Sequence, residues 1–174
     1  MSPAAPIIGI EAPRQPQLIA LLEQSSTYAR SLGYPPESNF LLDVEDLEKP
    51  NVDLYVARDA SGAALGLAAL VVLDPQRDGS RPGDAELKRM FVSDAARGRG
   101  VAGALLRRLE MDARASGIRR LVLETGPLHA PALALYARHG YSEIAQFGQY
   151  IGEQYSVCMA KPLDTAVTAR ATGV

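Results

Sequence analysis

A phosphate-binding loop is the first chemistry that the sequence suggests. Three glycines, Gly98, Gly100 and Gly103, follow a short apolar run and stand where an amphipathic helix begins. The first amides of a helix lack intrahelical partners and lie at the positive end of its macrodipole, so they favour a bound anion. The glycines allow the backbone to approach that anion closely, and Arg97 and Arg99 add positive charge.

The letters of the loop fit more than one interpretation. Gly98-x-Gly100-x-x-Gly103 matches the dinucleotide-binding fingerprint, and Glu124 lies at a tolerable distance for its acidic residue. A lone match of this kind is not specific, and the strand-rich first half lacks the repeated strand–helix units of a dinucleotide fold. The sequence has no Gly-Lys-Ser/Thr ending of a P-loop. A glycine-rich helix start with solvated arginines is the plain structural alternative.

The predicted elements on either side would position this loop. An apolar stripe predicts a helix from Gly100 to about Ser116, and strands are predicted at 84–92 before it and 121–125 after it. A single crossover between the two strands implies that they run parallel. The stripe consists of Val101, Leu105, Leu106, Leu109 and Ala113.

Hydrophobic periodicity and turn residues predict the other elements. We expect strands at 7–12, 52–58, 63–73, 141–146 and 155–160, helices at 17–32, 44–49 and 130–139, and loops at 34–42 and 74–83. Residues 1–163 are predicted to form one domain, and residues 164–174, which are small, polar and alanine-rich, a flexible tail.

Composition limits the classes of function. A chain of 174 residues with 47% apolar and 22% charged residues is typical of one globular domain, and its net charge of -2 argues against nucleic-acid binding. Two histidines and one cysteine, Cys158, make a metal site improbable, and Cys158 is expected to pack in a strand. We found no leader or membrane-length apolar stretch, so a cytoplasmic protein is expected.

Two motifs together resemble the GCN5-related N-acetyltransferases (GNAT). Residues 97–102 read as Arg/Gln-x-x-Gly-x-Gly/Ala, the pyrophosphate loop of that family. Residues 129–141 are similar to its later signature, with His129 where asparagine is common and Tyr141 where phenylalanine is common. Residues 85–92 resemble the strand before the loop, and the resemblance spans about 62–163.

This resemblance implies a GNAT-type α/β fold: a mixed, mostly antiparallel twisted sheet, helices on both faces, and a central parallel strand pair that splays to hold acetyl-CoA. Acetyl-CoA would be the co-substrate, no metal is implied, and the contact made by His129 is left open. The residues implied in acetyl-CoA binding are Met90, Phe91, Val92, Arg97, Gly98, Arg99, Gly100, Val101, Ala102, Gly103, His129, Ala132 and Tyr136.

The resemblance also implies catalytic roles. Tyr136 matches a tyrosine that protonates the departing thiolate, although periodicity alone would make it a core residue. Glu86 or Glu124 could accept the amine proton, with Glu86 the first choice, or either could only orient the substrate or form an ion pair with Lys88 or Arg89. An acceptor pocket is expected to include Tyr34, Glu37 and Tyr150.

The predicted function is an acetyl-CoA-dependent N-acetyltransferase, an acyltransferase acting by direct transfer in a ternary complex. Its acceptor is expected to be a small-molecule amine or amino acid rather than a protein, and a homodimer is consistent with the resemblance. The alternatives are a protein N-terminal or lysine acetyltransferase, a CoA-binding regulatory protein without turnover, and a dinucleotide-binding protein.

Overall fold

The computed structural model of the chain describes residues 4–163. The tail predicted at 164–174 lies outside these residues. The strands are β1 (Ile7–Ile10), β2 (Val52–Arg58), β3 (Ala64–Val72), β4 (Asp84–Val92), β5 (Arg120–Thr125), β6 (Ser142–Ile144) and β7 (Val157–Pro162). The helices are α1 (Pro16–Ser31), α2 (Val44–Leu47), α3 (Pro75–Asp78), α4 (Val101–Ala115) and α5 (Ala130–Arg138). Short 3-10 turns occupy Pro36–Ser38, Asp94–Ala96 and Gly148–Tyr150.

The strands of this part of the chain form one seven-stranded sheet in the order β1-β2-β3-β4-β5-β7-β6. Every neighbouring pair is antiparallel except β4 and β5, which are parallel. The crossover between β4 and β5 contains α4, as a parallel pair requires. The predicted mixed sheet with a central parallel pair is confirmed.

Both faces of the sheet are covered. One core lies between the sheet and α4 with α5, and the other lies between the sheet and α1 with α2. In β2, Tyr55 belongs to the first core and Leu54 to the second, and each is only 1% exposed. A central strand that is apolar on both sides can be buried in this way because successive side chains point to opposite faces.

Helix α4 buries the stripe that the sequence predicts. Gly100 is its N-cap, in a left-handed conformation, and the helix runs from Val101 to Ala115. Residues at this helical spacing lie on one face, which packs against the sheet. The predicted stripe residues are all at most 3% exposed: Val101, Leu105, Leu106, Leu109 and Ala113.

The parallel pair comes apart halfway along β4. Residues 84–87 of β4 pair with residues 120–123 of β5, and the pairing ends there although β4 continues to Val92. The register between β3 and β4 shifts just beyond that point, and Arg89 has a φ of 57°. A bulge bends the strand that carries it. The upper half of β4 is therefore free of β5, and a cleft opens between them.

Several predicted elements needed correction. The strand predicted at 7–12 ends at Ile10, and the helix predicted at 44–49 ends at Leu47. The predicted loop at 74–83 contains the one-turn helix α3, because the Asp74 side chain accepts a hydrogen bond from the Gln76 N–H at 3.0 Å and Pro75 suits a first turn. The predicted strand 141–146 is reduced to Ser142–Ile144, and the last strand lies two residues later than predicted, at Val157–Pro162.

The ion pair at the closed end of the cleft should be important for stability. Asp84 is 3% exposed and accepts hydrogen bonds from Arg120 Nε at 2.9 Å and Nη2 at 2.6 Å. The variant Asp84→Asn should lower the free energy of unfolding by about 3 kcal/mol, because it leaves the Arg120 guanidinium without its counter-charge. Urea denaturation measures this change.

The matched control is Arg77→Gln, which removes an exposed ion pair with Asp78 and should leave the urea midpoint nearly unchanged. Equal midpoints for Asp84→Asn and Arg77→Gln would show that the buried pair does not hold the two strands together.

Candidate active site

A cavity of about 480 Å³ lies where β4 and β5 part. Its lining comes from both strands, from α1, from the segment after α1, and from the beginning of α5. The lining includes twelve of the predicted site residues: Tyr34, Glu86, Met90, Phe91, Val92, Arg97, Gly98, Ala102, Glu124, His129, Ala132 and Tyr136. The fold thus brings most of the predicted site residues into one cleft.

The glycine loop gives this cleft an anion-binding mouth. Gly98 and Gly100 have φ values of 73° and 75°, which favour glycine, and a Cβ at either position would meet no atom within 4 Å. The backbone at the start of α4 is therefore open to an anion, and the helix leaves its first amides unpaired. The loop has the geometry to hold a phosphate group.

A second depression, of about 430 Å³, adjoins the cavity beyond this loop. Its lining includes Gly103 with three cationic or ionisable residues, Arg107, Arg138 and His139. These three residues were not predicted as site residues. Arg107 fits an exposed helix face equally well, and Arg138 and His139 are distant from the loop in the sequence. The spacing of Arg107 one helical turn after Gly103 was the available signal.

The two loop arginines differ in position. Arg97 lies at the junction of the two cavities, and its guanidinium is 5.1 Å from the Tyr28 ring centre and 5.8 Å from that of Phe91. It also pairs with Asp94 at 3.0 Å. Arg99 is exposed and lines neither cavity. Arg97 is thus the loop arginine closest to the cleft.

Tyr136 belongs to the core and to the cavity at once. It is 7% exposed, its ring centre is 5.6 Å from that of Tyr141, and it lines the cleft. Burial raises the pKa of the Tyr136 phenol. The hydroxyl therefore keeps its proton at neutral pH and can act only as a proton donor there.

Glu86 is held by two side chains on the same wall. The Tyr150 hydroxyl donates to Glu86 Oε1, and Lys88 Nζ lies 3.5 Å from the same oxygen and 2.6 Å from the tyrosine oxygen. The Lys88 and Glu86 side chains are 8% and 7% exposed. The ion pair with Lys88, one of the alternatives raised from the sequence, is therefore present.

Glu124, on β5, has fewer partners. Its Oε1 accepts one hydrogen bond, from Ser156 Oγ at 2.8 Å. Burial raises the pKa of Glu124, although the Ser156 bond and the charge of Lys88 partly oppose the shift. A carboxylate whose pKa lies above the ordinary range is a better proton acceptor near neutral pH.

His129 caps the cleft at the start of α5. Its ring lies 5.2 Å from that of Tyr28, centre to centre. Burial, with a smaller contribution from Arg97, lowers the pKa of His129. A neutral imidazole offers one donor and one acceptor, so it can make the kind of hydrogen bond that asparagine makes.

The three predicted acceptor residues lie in different places. Tyr34 lines the cavity, and its hydroxyl accepts a hydrogen bond from the Leu128 N–H at 2.6 Å. Glu37 is exposed on the 3-10 turn and does not line the cavity. Tyr150 is 1% exposed and lies behind Glu86 and Lys88 rather than in the lining.

Sequence analysis missed the aromatic part of the wall. Six phenylalanine or tyrosine rings line the cavity. Tyr34, Phe91 and Tyr136 were predicted, and the other three are Tyr28, Phe40 and Tyr155. These residues lie on α1, after the 3-10 turn and before β7, so no local spacing connects them.

Two further observations concern residues 4–163. No group of three or more histidine, cysteine or carboxylate side chains is arranged there to hold a metal ion. Among the helices of the same range, none has the length and apolar character required to cross a bilayer. Cys158 is 1% exposed, as expected for a packed residue.

Comparison with known proteins agrees with this geometry. The model of the acetyltransferase (GNAT) family matches residues 17–141. The chain is 40% identical over 156 residues to an IAA acetyltransferase of Azospirillum brasilense, covering 90% of this chain and 97% of that protein. It is 31% identical over 149 residues to the uncharacterized N-acetyltransferase YsnE of Bacillus subtilis (strain 168), covering 84% and 93%.

Solved structures lead to the same fold. A protein from Klebsiella pneumoniae, described as a candidate acyl-CoA N-acyltransferase, superposes with a TM-score of 0.73 at 30% identity. The match covers 91% of this chain and 98% of that one. The GNAT-type sheet, with helices on both faces, is therefore shared along nearly the whole described chain.

The contact between Tyr34 and Gly126 should be sensitive to a single methyl group. A Cβ at Gly126 would overlap the phenol ring of Tyr34. The variant Gly126→Ala should therefore lower the free energy of unfolding by about 1–3 kcal/mol, the usual cost of overpacking. Thermal or urea denaturation measures it.

Gly9→Ala is the control, because Gly9 has no positive φ and a Cβ there would meet nothing within 4 Å. If Gly126→Ala is as stable as Gly9→Ala, the ring of Tyr34 does not occupy the space above Gly126.

Proposed function

Because the chain belongs to the acetyltransferase (GNAT) family, we propose that it transfers the acetyl group of acetyl-CoA to a primary amine while both substrates are bound. The observation that supports this most directly is the parting of β4 and β5, where an anion-binding helix start opens into a cavity that holds two carboxylates and a buried tyrosine. We favour a small-molecule or amino-acid acceptor over a protein.

The donor would lie along the open half of β4. Pairing with β5 ends at Leu87, so the backbone at 90–92 has a free edge to which the pantetheine arm can hydrogen-bond. The amides at the start of α4 would hold the pyrophosphate, since Gly98 and Gly100 leave the approach open. Arg107 and Arg138, in the adjoining depression, would meet the remaining phosphate charge.

Acetyl-CoA supplies an activated thioester, and the residues of the cleft move the protons. The amine nitrogen forms a bond to the acetyl carbon, and the bond between that carbon and sulfur breaks. A proton leaves the amine for a carboxylate, and Tyr136 gives its phenolic proton to the departing sulfur. Holding the two reactants together supplies much of the acceleration.

Glu124 is the base that we propose, in place of our first choice from the sequence. Glu86 already accepts from Tyr150 and lies beside Lys88, whereas Glu124 has only Ser156 as a hydrogen-bond partner. The raised pKa of Glu124 also suits proton acceptance near neutral pH. Glu86 would then fix Lys88 and Tyr150 in position.

Two alternatives predict different behaviour. A protein acetyltransferase needs an opening wide enough for a peptide, whereas the Tyr34 ring lines this cavity and is fixed by a hydrogen bond from the Leu128 N–H. A CoA-binding regulator would bind the donor without releasing thiol.

We also propose a cytoplasmic location and a homodimer, and sedimentation of the purified chain tests the dimer.

Removal of the Tyr136 hydroxyl should slow the chemistry and spare donor binding. We expect Tyr136→Phe to lower kcat by about 100-fold, because general acids contribute at least that much, while the Kd for acetyl-CoA changes little. Thiol release measures the first quantity and calorimetry the second.

Tyr141→Phe is the control, since this neighbouring buried tyrosine bonds to Glu110 away from the cavity and should retain wild-type kcat. Equal rates for Tyr136→Phe and the wild type would remove Tyr136 from the proton transfer.

The pH dependence should identify the base. A protonated carboxyl cannot accept the amine proton, so kcat should fall as the pH drops through the pKa of Glu124. Because burial raises that pKa, the fall should begin above the ordinary glutamate value of 4.5. Glu124→Gln should lose about 100-fold in kcat together with this acidic limb, as stopped assays across pH would measure.

Glu86→Gln is the comparison for this experiment. This variant should have a lower kcat than the wild type, but its kcat should still fall at acidic pH. If Glu86→Gln instead abolishes the limb and Glu124→Gln retains it, the two roles are exchanged.

A further inference from the structure

One buried cation in the cleft has no counter-charge. Arg89 lines the cavity, is 8% exposed, and takes part in no ion pair with the described residues. Burial lowers the pKa of Arg89 to about 10, and no carboxylate offsets that effect. A buried charge without a partner is costly, so its presence calls for a ligand or a network that compensates for it.

The hydrogen bonds of Arg89 are also incomplete. Nη1 donates to Ser26 Oγ at 3.2 Å, and Nη2 donates to the Leu22 carbonyl at 2.8 Å and to Ser26 Oγ at 3.2 Å. Nε is buried without a partner in the described part of the chain. A guanidinium has five N–H donors, so these three bonds, all to neutral oxygens, leave two unused.

Among the other charged residues of the cavity wall, Glu124 and the exposed Arg138 are the two without an ion pair in the described part of the chain. Lys88 lies beside Glu86, and Arg97 pairs with Asp94. Glu124 has only the neutral Ser156. The cavity therefore has one unpaired cation on β4 and one unpaired carboxylate on β5, on the two strands that part.

We propose that the acceptor is a free amino acid, whose carboxylate binds Arg89 while its amine lies toward Glu124. This inference rests on the proposed acetyl transfer and names its substrate class. A zwitterion compensates both unpaired charges at once, and a carboxylate can take up the unused N–H donors of a guanidinium. The aromatic wall formed by Tyr28, Tyr34, Phe40 and Tyr155 suits a large apolar or aromatic side chain on that amino acid.

The burial of Arg89 should also determine which acceptors the cavity selects. An amine without a carboxylate leaves Arg89 uncompensated when it occupies the cavity, and sites built for a polar group reject analogues that lack that group. A peptide α-amine has no free carboxylate on the same residue, so it should be rejected as well.

The test compares three acceptors of matched shape: phenylalanine, phenylalaninamide and 2-phenylethylamine. Thiol release from acetyl-CoA is measured with each. We expect kcat/KM for phenylalanine to exceed that of the other two by about 10-fold or more, the usual effect of a hydrogen bond to a charged group. A higher kcat/KM for phenylalaninamide, for 2-phenylethylamine or for a peptide with N-terminal phenylalanine than for phenylalanine itself would overturn the inference. It would leave the proposed acetyl transfer intact.

Two variants assign the preference to Arg89. Arg89→Gln should reduce the ratio between phenylalanine and its amide to about one, and Arg89→Lys should restore part of it. Arg30→Gln, which removes an exposed charge on α1, should keep the wild-type ratio. An unchanged ratio in folded Arg89→Gln would assign the carboxylate to another residue and contradict the proposal; if that variant does not fold, the wild-type comparison still decides.

A binding measurement separates this inference from the proposed function. Phenylalanine and phenylalaninamide are titrated by calorimetry into the protein saturated with CoA. Tighter binding of phenylalanine than of phenylalaninamide would support the amino-acid site even if no thiol is released. Absence of thiol release would contradict only the proposed acetyl transfer. Equal or weaker binding of the acid would overturn the amino-acid site.

Discussion

The ion pair between Asp84 and Arg120 holds β4 and β5 together where both strands begin. The pairing ends after four residues of each strand, and the bulge around Arg89 bends β4. The cleft exists because one end of the pair is fixed while the other is bent. The glycine loop, the carboxylates and Tyr136 all depend on that geometry, since each is carried by β4, by β5 or by the element that follows one of them.

Burial is the common cause of the pKa shifts in the cleft. It raises the pKa of Tyr136 and of Glu124 and lowers the pKa of His129, so each of these groups is shifted toward its uncharged form. The tyrosine is then a stable proton donor, the histidine a neutral hydrogen-bonding group, and the carboxylate a stronger base. Burial therefore keeps Tyr136 protonated at neutral pH and makes Glu124 a stronger base.

The sequence predicted best what depends on local order. The stripe on α4, the strand bounds of β4 and the glycine loop follow from residues close together in the chain, and the structure confirms these elements. The cationic lining from Arg138 and the unpaired Arg89 could not be predicted, because they depend on which distant elements pack together. Tyr150 illustrates the limit: it was expected in the acceptor pocket, but it lies behind Glu86, where the rings of Phe40 and Phe147 pack edge-on against it.

The contact between Tyr34 and Gly126 affects which substitutions the chain can accept at these two positions. The ring occupies the space that any side chain at position 126 would need, so the penalty for alanine there exists only while a large residue stands at position 34. A smaller residue at 34 would remove that penalty and also the bond to Leu128. Substitutions at the two positions should therefore be epistatic, with alanine at 126 costing stability only while a large side chain stands at 34, although 92 positions separate them in the chain.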